Sequence, residues 1–330
     1  MSPNILRVTR SCFVALLLAM TVTAAFAAST DTYPDRPIRY IVPSAAGGGA
    51  DISARLLTNE LSQQLKQQFV IDNRPSSGGL IGVELMVRSR PDGYTLGYGN
   101  MVYLAINPTL VPKLPYDVAR DITPIGQFTS NQNVLAVRLS LPVKSVPELI
   151  TYARSNPDKL SFVSSGNGTT LHLSGELFKQ MTKTQIVHVP YKAIVQALAD
   201  LMAGQVDVIF DNQSSIAPFV GAGKVRALAV TGPTRSTAFP DLPTMSEAGV
   251  PGYVITTWAA MMAPAGVPKP IVAKLNQEMA RACSAPKVKA ALAFQGATCI
   301  ASSPEQFAQF VKSEQVKWGD IVRKSGAKID

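Results

Sequence analysis

The stretch Ser44-Ala-Ala-Gly-Gly-Gly-Ala-Asp51 decides the fold, because it lies between a predicted strand and a predicted helix. The preceding residues 37–43 are extended and β-branched, while residues 52–65 carry apolar side chains at helical spacing. The glycines let a ligand approach the backbone, and a helix start leaves unpaired N–H groups with a partial positive charge. This strand, loop and helix therefore predict an anion-binding corner.

A second corner of the same design follows later in the chain. Residues 160–165 predict a strand, and Gly166-Asn-Gly-Thr-Thr170 opens a predicted helix. Two such corners, one on each half of the chain, indicate a small acidic molecule held between two lobes.

Length and composition agree with two lobes. The 330 residues, 46% hydrophobic and 16% charged, are enough for two domains that share a cleft and exclude wholesale disorder. Arg7 and Arg10, an apolar run over 13–20 and small residues over 24–28 are typical of a secretory signal peptide, so we expect residues 1–28 to be cleaved on export to the periplasm. An uncleaved anchor is the alternative, but the run is shorter than the ~20 apolar residues of a membrane span.

The order of predicted elements gives the fold class. Residues 37–98 read β-α-β-α-β, residues 107–124 lack periodicity, and a second α/β series runs from 134 to 230. Helices are predicted over 270–283, 285–294 and 304–325, with a strand around 297–300. We expect two lobes, each a mostly parallel sheet flanked by helices: 29–130, 131–231, and 232–330, which contains the return to the first lobe. Crossings near 125–133 and 231–257 would form a hinge.

The candidate ligand residues lie in the two loops. Ala46, Gly47 and Gly49 offer backbone N–H groups to a carboxylate, while Ser44 and Asp51 either fix the loop or cap the helix. In the second loop, Ser165, Thr169 and Thr170 offer hydroxyl and N–H groups to a carboxylate or to bridging water.

Three further residues leave alternatives open. Asp211, at the end of a predicted strand, either accepts a hydrogen bond from a ligand or is a turn residue. Cys283 and Cys299 either form a disulfide, as an exported pair can, or are two small buried hydrophobic residues.

Catalytic and nucleic-acid-binding classes are disfavoured. The chain has only two histidines, His172 and His188, neither at metal-ligand spacing, and it lacks a Gly-x-Ser-x-Gly elbow. We therefore predict no metal, no cofactor and a structural role for His172, with a catalytic dyad as the alternative. The net charge of +9 favours anionic partners in general, but the basic residues are too scattered for nucleic acid.

Several ordered motifs resemble one family, the periplasmic solute receptors of tripartite tricarboxylate transporters, often called Bug receptors. The resemblance spans essentially the whole chain after the leader. It rests on the following motifs: Pro37-Ile-Arg-Tyr-Ile-Val-Pro43, Gly47-Gly-Gly-Ala-Asp51, Asn73-Arg-Pro-Ser-Ser-Gly-Gly79, Pro91-Asp-Gly-Tyr94, Ser165-Gly-Asn-Gly-Thr169, His172-Leu173, Val189-Pro-Tyr-Lys192, Phe210-Asp-Asn212 and Leu242-Pro-Thr-Met-Ser-Glu-Ala-Gly249.

The resemblance implies a two-lobed periplasmic binding protein, of the Venus flytrap type, that closes on a small carboxylate and presents it to a membrane permease. It also implies that both loops hold one carboxylate, which adds Gly168 to the candidate residues and carries Asp211 with them. The leading hypothesis is therefore a monomeric transport receptor that is not an enzyme. The alternatives are an exported enzyme that uses His172 with a neighbouring serine, and a ligand sensor for a membrane signalling partner. Dicarboxylates, aromatic acids, amino acids and nicotinate-like acids all fit the expected carboxylate clamp.

Overall fold

The structure, a computed structural model, describes residues 32–191 and 193–325. The predicted signal peptide of residues 1–28 lies outside the described part of the chain. Within that part, no helix is both long and apolar enough to cross a membrane.

The first series of elements confirms the predicted strand–helix alternation. Strand β1 pairs in parallel with both β2 and β3. Four of the five residues of β1 are fully buried, as expected of the central strand of a parallel unit. The elements are β1 (Ile38–Val42), α1 (Gly49–Leu65), β2 (Phe69–Asn73), α2 (Leu80–Val87) and β3 (Thr95–Asn100).

Short helical turns follow β3, where the sequence predicts no regular structure. A π-helical turn spans Val102–Ile106, and two single-turn helices, α3 (Asn107–Leu110) and α4 (Val118–Asp121), come next. Single turns show too few residues for a periodic apolar pattern, so they escape detection in the sequence.

One long strand, β4 (Ile122–Arg138), belongs to both lobes. Up to Gln132 it pairs with strand β9 (Thr256–Pro264), and from Asn133 onward with strands β7 (Val208–Asn212) and β8 (Val225–Val230). The sequence predicts only residues 134–138 as strand. The first half is irregular, with register shifts between Pro124 and Gly126 and between Gln127 and Thr129, which explains why its alternation is hidden.

The second series confirms the predicted second α/β unit. Strand β5 pairs in parallel with β6 and β7, while β4 pairs antiparallel with β7 and β8. Helix α5 begins at its predicted cap, with the Ser145 hydroxyl 3.3 Å from the Glu148 N–H, and Gly204 ends α7 at φ +80°. The remaining elements here are α5 (Val146–Ser155), β5 (Ser161–Ser164), α6 (Thr170–Thr182), β6 (Val187–Pro190), α7 (Ile194–Ala203) and α8 (Gln213–Gly221).

The chain returns to the first lobe through β9, which the sequence does not predict. Its residues Thr-Thr-Trp-Ala-Ala-Met-Met-Ala-Pro lack polar–apolar alternation because the strand is inserted between β3 and β4 and buried on both faces. Helix α11 matches its predicted bounds. The last elements are α9 (Lys269–Ser284), α10 (Pro286–Phe294), β10 (Ala297–Cys299) and α11 (Pro304–Ser325).

The strand order through the described residues is β2-β1-β3-β9-β4-β7-β5-β6, with β8 and β10 paired to β4. Each lobe therefore has the expected parallel core, β1–β3 and β5–β7. The strands that link the lobes, β4 and β9, pair antiparallel and make the sheets mixed, because a chain that crosses between lobes and returns must run in both directions.

Residues 232–252, in which the sequence predicts the return to the first lobe, run beside β8. The Val230 N–H donates to Pro243 O and the Met245 N–H to Val230 O, both at 2.9 Å. The second crossing lies at Thr231 and Ile255, whose backbone groups are hydrogen-bonded at 2.8 Å. Thr231 also donates its backbone N–H to Asn133 O at 2.9 Å, so the two crossing segments lie side by side.

A disulfide joins Cys283 at the end of α9 to Cys299 in β10, with the two Cα atoms 5.7 Å apart. Because β10 pairs with residues 129–131 of β4, this bond ties α9 to the strand that runs into the crossing.

Candidate functional site

Asp51 holds the first glycine loop in place. It is 2% exposed, and its Oδ2 accepts hydrogen bonds at 2.8 Å from the Gly47 N–H and from Arg55 Nε. Its Oδ1 accepts from Asn73 Nδ2 at 3.0 Å. The Arg55 hydrogen bond, helped by those from Gly47 and Asn73, lowers the pKa of Asp51 to about 2, so the carboxylate is charged at neutral pH. Because both of its oxygens are occupied, Asp51 fixes the loop, which is one of the two roles that the sequence allows.

This arrangement divides the predicted backbone donors of the first loop. Gly47 has φ +78°, a conformation that favours glycine, and its N–H is directed at Asp51. Ala46 and Gly49 are exposed, and no acceptor for their N–H groups is found in the described residues. Ser44 supports the loop with its carbonyl, which accepts from Asn73 Nδ2 at 3.1 Å. Ala46 and Gly49 therefore offer the free donors, and Gly47 shapes the turn.

The segment after β3 packs against the first loop and holds it in place, a role that the sequence does not predict. The Tyr103 hydroxyl donates to Pro43 O at 3.0 Å, and Asn107 Nδ2 donates to Gly78 O at 2.8 Å. Gly79, at φ +70°, lies so close that an added Cβ would be 2.3 Å from the Tyr103 ring. One buried tyrosine thus positions the loops that follow both β1 and β2.

Thr169 and His172 fix the second loop. Thr169 is the N-cap of α6: its Oγ1 donates to Gly166 O at 2.7 Å and lies 3.4 Å from the His172 N–H. Gly168, at φ +72°, donates its N–H to His172 Nδ1 at 3.1 Å. The ring nitrogen that accepts this bond is unprotonated, and burial lowers the pKa of His172, so the ring is neutral. These bonds support the predicted structural role of His172.

A serine–histidine pair lies beneath the same loop. Ser164 Oγ is 2.7 Å from His188 Nε2, and the His188 and His172 rings stack with centroids 4.1 Å apart. Burial lowers the pKa of His188 to about 4, and His172 and Lys179 contribute to the shift. Ser164 is 0% exposed and also bonds the backbone of Gly166, so its hydroxyl is enclosed and not presented to a substrate.

Asp211 stands near the carboxyl end of β7. Its side chain is 1% exposed, Oδ1 accepts from the Asn212 N–H at 2.7 Å, and Oδ2 has no partner in the described part of the chain. Burial raises its pKa to about 6, partly offset by the Ser215 side chain and the Asn212 N–H. Because Asp211 pairs with Val134, its side chain lies on the sheet face that carries the apolar cluster of Val134, Ile209 and Ile216.

Contacts of the supporting segment bring the two loops to the same side of the molecule. A Cβ added at Gly168 would lie 3.1 Å from Leu110, at the end of the segment whose Tyr103 contacts Pro43. Ser165 and Thr170 lie half-buried and buried, respectively, at the carboxyl edge of β5. The first and second loops thus both stand at carboxyl edges of parallel strands, where open α/β sheets bind ligands.

Asn133 is a further candidate residue that the sequence does not predict. It is 0% exposed, and neither Nδ2 nor Oδ1 finds a hydrogen-bond partner among the described residues. The Ser174 hydroxyl in α6 is also fully buried and has no hydrogen-bond partner among the described residues. An unsatisfied buried polar group costs roughly 1–3 kcal/mol. The only signal in the sequence is an asparagine directly before the apolar run 134–137, which we assigned to the crossing and not to the strand.

Comparisons with known proteins show the family to which this chain is similar. A profile described as "Tripartite tricarboxylate transporter family receptor" matches residues 53–327. The chain is 36% identical over 319 residues to Protein BugT of Bordetella pertussis, a match that covers 96% of this chain and 98% of BugT.

Solved structures agree with that match. An R. palustris protein solved with adipate is 38% identical, with a TM-score of 0.77 and coverage of 90% of this chain and 99% of that one. MatC from Rhodopseudomonas palustris, solved with bound malate, is 34% identical, with a TM-score of 0.73 and coverage of 88% and 100%. These similarities confirm the two-lobed periplasmic-binding-protein fold and the resemblance to Bug receptors.

Proposed function

The chain belongs to the tripartite tricarboxylate transporter receptor family, and from this premise we propose that it is a periplasmic receptor that binds a small carboxylate between its lobes and delivers it to a membrane permease. The signal peptide of residues 1–28 directs its export, and the receptor acts as a monomer. The proposal includes no cofactor and no catalytic step.

The observation that carries this proposal is that both glycine loops are held in a fixed conformation. Each is locked by a buried side chain, Asp51 in the first and His172 in the second, that bonds a loop glycine. Within the described residues this leaves the N–H groups of Ala46 and Gly49 without an acceptor, held in place and preorganised for an anion. A carboxylate between the loops would meet the N–H groups of Ala46 and Gly49 from one side and of Thr170 from the other. Ser165, Gly168 and Thr169 shape the second loop, since both donors of Thr169 bond Gly166 O.

Hinge closure is the proposed binding motion. In our assignment, the described part of the chain passes between the lobes at two adjacent segments, β4 at Gln132 and the return at Thr231–Ile255. A few backbone rotations there would swing one lobe against the other. We assign residues 232–252 to the second lobe because they hydrogen-bond along β8.

The relatives guide the choice of ligands. Structures of similar proteins hold adipate and malate, both dicarboxylates, which makes dicarboxylates the first class to test. The Asp211 carboxylate lies on the sheet face of the apolar cluster that contains Val134. We therefore expect Asp211 to act on the ligand through an intervening group and not by direct contact.

The test is a thermal-shift screen of the mature protein against carboxylic acids. A ligand at 100 times its dissociation constant adds about 2.7 kcal/mol to the free energy of unfolding. Gly47→Val should abolish the shift, because φ +78° excludes a β-branched residue and the loop must rearrange. Gly221→Ala is the matched control, since an added Cβ there meets nothing within 4 Å. A ligand-induced shift that is unchanged in Gly47→Val would refute the assignment of the first loop.

The enzyme alternative predicts a different result. It needs a serine that attacks a substrate. In the described part of the chain, the serine hydroxyl within hydrogen-bond distance of a histidine is that of Ser164, which is enclosed. Turnover of any acid in the panel that is lost in Ser164→Ala would favour the enzyme. A ligand sensor would give the same binding result, and loss of uptake on deletion of the receptor gene separates transport from sensing.

A further inference from the structure

We propose that Asn133 and Ser174 form a neutral subsite at the base of the cleft that recognises a hydroxyl group of the ligand, so that the receptor prefers hydroxy acids. This inference rests on the proposed function and specifies its ligand.

The register of the second sheet defines the face on which Asn133 lies. Asn133 pairs with Asn212, and two residues along the strands Leu135 pairs with Phe210. Because side chains alternate along a strand, these four share one face, opposite to Asp211. Helix α6 covers this face, since the Phe178 and Phe210 ring centroids are 5.8 Å apart.

The contact between Phe178 and Phe210 also fixes the position of Ser174 along the sheet. Helix α6 runs antiparallel to β7, so one helical turn back from Phe178 leads to Ser174, and two strand residues on from Phe210 lead to Asn212, each a step of ~6 Å toward the carboxyl edge. The Tyr253 hydroxyl, which donates to Ser174 O at 2.9 Å while its ring stacks on Phe210, agrees with this placement. Ser174 therefore lies over the Asn133–Asn212 pair.

The subsite continues directly into the second loop. Thr170 lies one turn beyond Ser174 on α6, about 6 Å nearer the loop that holds the ligand carboxylate. A hydroxyl three or four bonds from that carboxylate, with its own hydrogen bond of about 3 Å, would therefore reach the level of Ser174 and Asn133. Asn133 also stands where β4 passes between the sheets, so closure of the lobes brings the base of the cleft to it.

The chemistry of the unpaired atoms selects the ligand group. Asn133 has donors on Nδ2 and an acceptor in Oδ1, and the Ser174 hydroxyl both donates and accepts. A carboxylate only accepts and would leave Oδ1 unpaired, while an ammonium only donates and would leave Nδ2 unpaired. A hydroxyl donates and accepts, and so satisfies both sides of the amide.

Titration calorimetry with matched acids tests this inference. The pairs are malate with succinate, lactate with propionate, and 3-hydroxybutyrate with butyrate, each differing by one hydroxyl. We expect wild-type protein to bind the hydroxylated member of at least one pair about ten times more tightly, a difference of about 1.4 kcal/mol. Asn133→Leu, similar in volume, should remove this preference and leave the affinity for the plain acid within about threefold.

Ser174→Ala, a small deletion that preserves packing, should reduce the preference without loss of the plain acid, and Ser284→Ala, in an exposed part of α9, should change neither affinity. The inference is overturned if wild-type protein binds panel acids without preference for any hydroxylated member, or if both variants weaken the two members of a pair equally. If no carboxylic acid binds wild-type protein, the proposed function itself fails.

Discussion

Burial of Asp211 predicts a pH-dependent gain of stability in Asp211→Asn. The carboxylate is 1% exposed on an apolar sheet face, and burial raises its pKa from 3.8 to about 6. Asparagine keeps the oxygen that accepts from the Asn212 N–H, but it carries no charge at any pH.

The sign follows from the two pKa values. Folded protein holds the Asp211 proton more strongly than unfolded protein, so the contribution of this group to stability is fully present below pH 3.8 and is lost as pH rises through about 6. A difference of about two pKa units corresponds to roughly 3 kcal/mol. The stability of Asp211→Asn relative to wild type should therefore rise by about 2–3 kcal/mol between about pH 4 and about pH 7.5.

Urea unfolding of ligand-free protein at these two pH values measures the difference. Every other titrating group cancels, since it is common to both proteins. Asp241→Asn, at an exposed position, is the control and should change stability by less than about 0.5 kcal/mol at either pH. An equal change in Asp211→Asn at both pH values would refute the argument, because it would show that the buried charge is not the cause.

Three further variants test other features. Cys299→Ser opens a loop of 16 residues and should cost about 3 kcal/mol, and a reductant should lower the melting temperature of wild type but not of the variant. Gly175→Ala places a Cβ 2.2 Å from the Phe162 ring, so the buried ring must shift, and the variant should lose about 1–3 kcal/mol of stability in urea unfolding. His188→Gln should gain about 1–2 kcal/mol over wild type as pH falls from 6.5 to about 4, because the lowered pKa of His188 makes wild-type stability decline in that range; the partial exposure of the ring reduces this value. A parallel pH profile for both proteins would contradict it.

Local patterns in the chain were sufficient for the two α/β units, both loops and most helix ends. Ser145 and Gly204 act on neighbouring residues, so their capping roles are visible in sequence. The role of Asp51 was left open, and the structural role predicted for His172 came without a partner, because the partner of each is chosen by the folded loop.

Long-range pairing decided the rest. Strand β9 carries no alternation because both of its faces are buried by segments distant in sequence. Strand β4 belongs to two sheets because β9 pairs with its first half and β7 and β8 pair with its second half. Short-range periodicity reports only which side of one element is apolar. Which element covers that side, and which polar atoms are left facing each other beneath it, depends on the packing of the whole chain.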